Sequence, residues 1–269
     1  MTAAIISDWQ ADIDLIAAAA REAGAVASTF FGQSPQVWWK NEGRSPVSAA
    51  DHAANECLEE RLRTARPSYG WLSEETDDDL GRLKSDTLFV VDPIDGTRAF
   101  IANKPTWCVS VAVVHRGKPV AGVLVAPALG EEYSAVAGGP ALKNGKPITV
   151  AAFDPAKKLR VATPMDIVNL FDAPLRGRIE RVEHVPSLAY RIAMVAEGRI
   201  DATFVKPNAH DWDIAAADLI LQQAEGRLTD LDGNALIYNR TEVTHGVLCA
   251  AVEGELPALL ERLAAVPRG

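Results

Sequence analysis

Cysteine is scarce in this chain of 269 residues: Cys57, Cys108 and Cys249 are odd in number, widely spaced and form no CxxC pair. That excludes a disulfide-stapled scaffold and a CxxC zinc site, and predicts free, buried thiols in a reducing compartment. No block of Lys and Arg is present and the net charge is −9, which argues against a nucleic-acid polymer as partner. No apolar run approaches the ~20 residues that span a bilayer, so no membrane partner is expected. The opening MTAAIISDWQADIDL lacks a basic n-region and carries acids early. It does not read as a secretion signal, and a cytoplasmic protein is expected. Nor is there a Ser/Gly/Pro-rich linker, an internal repeat or a low-complexity tract. What remains is a globular composition, long enough for one large domain or two lobes.

Periodicity supplies the elements. Ile5, Ile6, Trp9, Ile13, Ile16, Ala20, Ala23 and Ala27 recur at helical spacing ahead of Gly32, predicting one long helix over 5–31. A short strand is expected at 37–40, with Trp38 and Trp39 packing in sheet and core. Ser48-Ala49-Ala50-Asp51 has the S-x-x-D form of a helix start. Residues 107–115 and 119–126 read as strands joined by Arg116-Gly117-Lys118, and 131–137 adds another before the hairpin signal Asn144-Gly145. From about residue 158 the rhythm becomes strand–helix alternation: strands at 159–163, 179–184 and 201–205, helices at 166–176, 187–197 and 212–225. A parallel or mixed sheet flanked by helices follows. We therefore expect residues 1–269 to form a single unit. Its lobe over 1–150 is rich in antiparallel sheet, and its lobe over 151–269 is smaller and α/β.

The chemistry concentrates at LFVVDPIDGTRAFI, residues 88–101. An apolar run reads as a buried strand, and Pro93 and Gly96 stop it, because Pro lacks a ladder donor and Gly admits positive φ. Asp92, Asp95 and Thr97 thus share one tight loop at a strand end. Two more acidic islands are Glu74-Glu75 and Asp211-Trp212-Asp213, the second just before a helix, where the helix dipole favours carboxylates. Taken singly these are common features: turns at Asp92-Pro93 and Asp95-Gly96, a cap at Asp213, a solvated loop at Thr76 to Asp79. If the three islands converge, they gather like charge that only divalent cations would make tolerable, and a multi-Mg²⁺ site is indicated. Asp230-Leu231-Asp232-Gly233-Asn234 opens like an EF-hand, but its Gly is misplaced and Thr241 stands where a Glu is needed, so a hairpin turn is expected.

As a set, VVDPIDGTRAF, the upstream SEET and the downstream HDWDIAAADLI resemble the signatures of the inositol monophosphatase family. KNEGRSPVSAAD, NGKPITV and EGRLTDLDG extend the resemblance over nearly the whole chain. The resemblance implies a layered αβαβα sandwich and a Mg²⁺-dependent, Li⁺-sensitive phosphomonoesterase working with two to three ions. It further implies a small-molecule phosphate ester as substrate and a homodimer. Glu74, Asp92 and the Ile94 carbonyl would hold a first ion. Asp92, Asp95 and Asp213 would hold a second, and Glu74 would touch a third. Thr97, backed by Asp51, would orient and deprotonate the attacking water; metal-activated water needs no phosphoenzyme. Gly96 and Thr97 would offer backbone N–H groups to the phosphate, Glu75 would be a supporting residue, and Lys40 would be an electrostatic contact.

One departure touches specificity. Seven residues before Asp213 the family typically places a Glu that binds ring hydroxyls, and this chain has Lys206. A cation there would pair with a second phosphate or a carboxylate. SPVSAAD with SEE also looks similar to the bisphosphate nucleotidase branch, and DPIDGTRAFI to the histidinol-phosphatase branch. Inositol 1-phosphate stands first as the family default, with 3′(2′),5′-bisphosphates and histidinol phosphate as alternatives. Trp107, Ala162 to Met165, Lys206 and His210 are the candidate substrate wall.

Overall fold

The computed structural model describes residues 2–33, 36–40, 45–152, 154, 156–169, 171–183 and 185–263, with only the backbone of 2–8, 39, 40, 45 and 263. Helix α1 (Thr2–Ser28) is followed by a hairpin of β1 (Val37–Lys40) and β2 (Ser45–Ser48), then helix α2 (Ala49–Ala65). Ser48 and Asp51 close a reciprocal capping box at the start of α2, as the S-x-x-D pattern predicts. Trp38 departs from the expected core packing: 42% exposed, it lies edge-on to His52, and the Trp39 side chain lies outside the described residues.

Next comes a sheet of seven strands: β3 (Gly70–Ser73), β4 (Thr87–Asp95), β5 (Cys108–His115), β6 (Lys118–Ala126), β7 (Glu131–Val136), β8 (Leu142–Lys143) and β9 (Lys146–Pro147), in that order. Only β3 and β4 pair in parallel. Residues Leu88 to Asp95 are all buried, because both faces of the sheet are covered. Phe89 and Val91 point into a core with Ile16, Ala20, Leu58 and Leu62 of α1 and α2. Leu88 and Val90, at the alternate positions, face a second core with helices α6 (Leu188–Ala196) and α7 (Asp211–Gln223). A Cβ on Gly122 of β6 would lie 2.9 Å from the Ala216 carbonyl oxygen, so this glycine lets α7 seat closely on the sheet.

Beyond α6 and α7 lies a mixed five-stranded sheet. Its order is β11 (Ile179–Arg181), β10 (Leu159–Val161), β12 (Ala202–Val205), β16 (Leu248–Val252), β14 (Gly226–Asp230). Strand β10 is parallel to both neighbours and the remaining pairs are antiparallel. Its outer face packs Val161, Phe204, Cys249 and Ala251 against Phe171, Leu175 and Leu259, on or beside α4 (Met165–Val168), α5 (Ala173–Arg178) and α8 (Leu256–Leu263). The layers are therefore helix, sheet, helix, sheet, helix, as expected. Strands β13 (Ala209–His210) and β15 (Thr244–His245) form a small ribbon before α7.

The helix expected at 166–176 is two short ones. Pro174 has no N–H to donate to the preceding turn, so the helix restarts from the cap at Asp172, which accepts the Leu175 N–H at 2.8 Å. No helix among the described residues is long and apolar enough to cross a membrane.

Candidate metal centre

The end of β4 is irregular. Asp92 pairs with Ser110 and Asp95 with Cys108, so three steps along β4 match two along β5. In a regular strand residues three apart face opposite sides; one extra residue at Pro93-Ile94 brings both carboxylates to the same side. The turn continues through Gly96 at φ +95°, where a Cβ would lie 2.9 Å from the Ser187 Cβ. Thr97 then opens the short helix α3 (Thr97–Ile101).

Two helix starts meet this loop. Asp95 accepts the hydroxyl of Ser187, the Leu188 N–H at 3.1 Å and the Ala189 N–H at 2.7 Å, all at the N-terminus of α6. Asp213, in the first turn of α7, accepts the His210 N–H at 2.7 Å. Carboxylate oxygens of Asp92, Asp95 and Asp213 all lie within 4.8 Å of one another, the one such group among the described residues. Glu74 stands at the end of β3, its N–H donating to the Val91 carbonyl at 3.2 Å, and lines the same cavity. Glu75, its side chain almost wholly buried, lies 3.9 Å from His52 Nδ1.

Burial is the largest influence on these acids. It pushes Asp92 well above the usual carboxylate range, and Glu74, Asp95, Asp213 and Asp51 add repulsion. Asp95 is raised to about 6 by burial and by Asp213, against the opposing effect of its three hydrogen bonds. Oxygen donors gathered this closely, with the buried Asp92 and Asp95 each raised by burial and by their neighbours' charge, fit a hard divalent ion.

On the other side of the loop, Asp51 Oδ2 accepts the Ser48 N–H and hydroxyl at 2.7 and 2.6 Å. Its Oδ1 faces the Thr97 hydroxyl at 3.1 Å, and the same hydroxyl lies 3.1 Å from the Ile94 carbonyl. Burial also raises Asp51, with the Ser48 bonds opposing.

The cavity so formed measures about 170 Å³ and is lined by Glu74, Asp92, Ile94, Asp95, Gly96, Thr97 and Asp213, together with Pro46, Arg98 and Pro186. A larger cavity of about 580 Å³ beside β10 has two ion pairs in its lining, Arg160 with Asp201 and Lys157 with Asp154.

Of the candidate substrate wall, His210 stands beside the acidic cavity and the other members lie outside its lining. Trp107 is fully buried, packed against Phe31 and Phe100, because β5 turns it toward α1. Ala162 and Thr163 are buried and Met165 is exposed, with none lining the cavity. Lys206 pairs with Asp166 at 2.5 Å, also outside the lining. His210 stacks on Trp212 with ring centroids 4.5 Å apart, and its Nδ1 is 3.7 Å from Asp213. The Lys40 side chain lies outside the described residues. Nor is the Thr76 to Asp79 run simply solvated: Asp78 takes the buried Arg82 guanidinium at 2.7 Å.

Sequence reading missed three contributors. Ser187 and the amides that hold Asp95 stand 92 to 94 residues from it; Ser187 before an apolar helical run was the available signal. Arg98 was visible only as the residue after Thr97. Asp211, which takes His245 Nε2 at 2.7 Å and the Asn239 N–H at 2.8 Å, carried no signal beyond its place in the acidic island.

Comparison with known proteins gives consistent findings. The profile of the inositol monophosphatase family matches residues 8–267. An inositol-1-monophosphatase of Mesorhizobium japonicum is 33% identical over 262 residues, covering 91% of this chain and 97% of that one. A histidinol-phosphatase of Chlorobaculum parvum is 30% identical, covering 91% and 98%. The crystal structure of the extragenic suppressor protein suhB from Bartonella henselae superimposes with a TM-score of 0.83 at 29% identity, covering 95% of this chain and 99% of that one.

Proposed function

The chain belongs to the inositol monophosphatase family and is a phosphoric monoester hydrolase; we propose that it is Mg²⁺-dependent and acts on small polar phosphate esters, inositol 1-phosphate among them. The observation that carries the reading is the meeting of Asp92, Asp95 and Asp213 with the Thr97–Asp51 pair on one loop. Asp92, Asp95 and Asp213, with Glu74 and the Ile94 carbonyl, would hold two to three Mg²⁺ ions. When bound, these supply the Lewis-acid charge that makes water a nucleophile near neutral pH and steadies the attacking and leaving oxygens.

The chain's own groups do the rest. With its proton directed to Asp51 Oδ1, the Thr97 hydroxyl turns its lone pairs outward to accept a proton from water. Asp51, its other oxygen fixed by Ser48 and its proton affinity raised by burial, is suited to take that proton onward. Gly96 and Thr97 present backbone N–H groups to the phosphate, and Glu75 supports the floor beside Asp51. His210 flanks Asp213. Lys40 and Lys206 are outer contacts in this reading. The same reading takes residues 1–150 and 151–269 as two lobes of one catalytic unit, in a Li⁺-sensitive cytoplasmic homodimer. Histidinol-phosphatase activity is the alternative that the Chlorobaculum relative favours; bisphosphate nucleotidase activity is the one that the SPVSAAD and SEE segments resemble.

The test is phosphate release with Mg²⁺ from inositol 1-phosphate, histidinol phosphate, adenosine 3′,5′-bisphosphate and fructose bisphosphate. Turnover of at least one is expected. No release from any by folded, Mg²⁺-loaded protein would overturn the reading.

A further inference from the structure

We infer that His210 selects the substrate by stacking, so that the preferred esters carry a flat aromatic ring on the alcohol side of the phosphate. This rests on the phosphatase reading above and adds the substrate class to it.

A cavity of about 170 Å³ is smaller than the ~300–1,000 Å³ of ordinary small-molecule pockets. It takes a phosphate and its counter-ions, and the alcohol part of the ester must lie beside it. Beside it stands His210, whose Nδ1 is 3.7 Å from Oδ2 of Asp213, a residue of the lining.

The imidazole is held there before any ligand arrives. Its backbone pairs with Thr244 in the β13–β15 ribbon, and its N–H donates to Asp213 Oδ2 at 2.7 Å. The next residue, Asp211, is fixed by its N–H to the Val243 carbonyl at 2.9 Å and by its side chain to His245. One face of the imidazole lies flat on the Trp212 indole, with centroids 4.5 Å apart and planes 6° from parallel. That indole packs in turn on the core shared by α6, α7 and the large sheet. The imidazole is thus the outer layer of the stack, with 34% of its side chain exposed. Among the described residues no second ring covers its outer face.

Such a surface reads flatness and π electrons, not hydroxyls. A polyol is held by donors and acceptors aimed at its hydroxyls, and an aromatic face supplies neither. Lys206, also a candidate for the substrate wall, is paired with Asp166 at 2.5 Å outside the lining. A purine or an imidazole gains by stacking on a ring that is already immobile, since little rotamer freedom is left to lose.

Wild-type protein, His210→Ala and His210→Phe are to be compared under saturating Mg²⁺ on matched pairs of esters and on inositol 1-phosphate. Adenosine 5′-monophosphate is matched with ribose 5-phosphate, which lacks the purine. Histidinol phosphate is matched with 2-aminopropyl phosphate, which lacks the imidazole. Wild type should favour the ring-bearing member of at least one pair by about tenfold or more in kcat/KM, the worth of one stacked ring. It should also favour that ester over inositol 1-phosphate. His210→Ala should remove most of the preference, chiefly through KM of the ring-bearing ester. His210→Phe, which keeps a ring, should retain it within about threefold. Because the preference is a ratio within one protein, any loss shared by both members cancels. The pair that responds identifies purine or imidazole as the ring bound. Equal efficiency within both pairs, inositol 1-phosphate as the best substrate, or a preference that survives His210→Ala overturns the inference and leaves the phosphatase reading standing. So does a preference that His210→Phe loses as fully as His210→Ala. No phosphate release from any ester overturns that reading, and this inference with it.

Discussion

Asp92 has the least freedom of any group in the site. It is almost wholly buried, its Oδ1 accepts the Ile94 N–H at 3.0 Å, and four other acids push its proton affinity up. Asp92→Asn keeps the shape and that acceptor while removing one charge from the cluster. Two outcomes are expected. Turnover should fall at least ~100-fold, since an amide is a poor ligand for a hard divalent ion. In EDTA near neutral pH the variant should unfold at a higher temperature than wild type, because repulsion and the burial of a charge are both relieved. Wild-type-like activity in this variant would sink the proposed site. Gly96→Ala probes the same turn without touching charge. A methyl 2.9 Å from the Ser187 Cβ at φ +95° forces the turn or α6 to shift, and with it the Ser187–Asp95 bond. Both stability and turnover should drop, by ~2 kcal/mol or more in urea unfolding.

At the scale of elements, the site exists because three structures converge on the end of β4: the start of α2 with Asp51, the start of α6 against Asp95, and the start of α7 with Asp213. The last is tied down by a half-buried polar chain that starts from the buried Arg82. Arg82 Nη1 donates to Asn239 Oδ1 at 2.7 Å and to the Arg240 carbonyl at 2.9 Å, while the Asn239 N–H donates to Asp211, two residues before Asp213. Arg82→Ala should cost ~2–4 kcal/mol in urea unfolding, through lost bonds and an abandoned Asp78; a change under ~0.5 kcal/mol would show the chain to be dispensable. These convergences also explain what the sequence could disclose. The apolar run of β4, the capping box at Ser48 and Asp51, and the Asn144-Gly145 hairpin are local patterns, written within a few residues. The clustering of the acidic islands was implied by the family resemblance that their motifs carry as a set, and is not written in the spacing of any one of them. The bulge at Pro93 and the α6 amides on Asp95 depend on partners far along the chain, and so does the burial of Trp107. No local pattern announces them.

For the whole molecule, buried acids couple folding to pH and to metal. Asp95 and Asp218 are each raised to about 6, chiefly by burial, and Asp92 and Asp51 are raised as well. A folded-state pKa above the unfolded value of ~3.9 means that the native state keeps protons which the unfolded chain has released. The stability these groups contribute is therefore present below about pH 4 and is lost as pH rises through about 6. Without metal, heating curves should show the protein less stable near pH 7.5 than near pH 5. Mg²⁺ should reverse this, because an ion that binds only the native state stabilises it in proportion to the logarithm of its concentration over Kd. The ion displaces protons near pH 5 but meets ready carboxylates near pH 7.5, so the Mg²⁺-induced rise in Tm should be larger at the higher pH. Asp218, hydrogen-bonded to Tyr238 and Gln222 rather than placed among the proposed ligands, separates the two contributions. Asp218→Asn should flatten part of the metal-free pH slope while leaving the Mg²⁺ increment intact, whereas Asp92→Asn should shrink both. An Mg²⁺ increment that is the same at the two pH values, or that survives Asp92→Asn undiminished, would show that the ion's stabilising site lies elsewhere than on this loop.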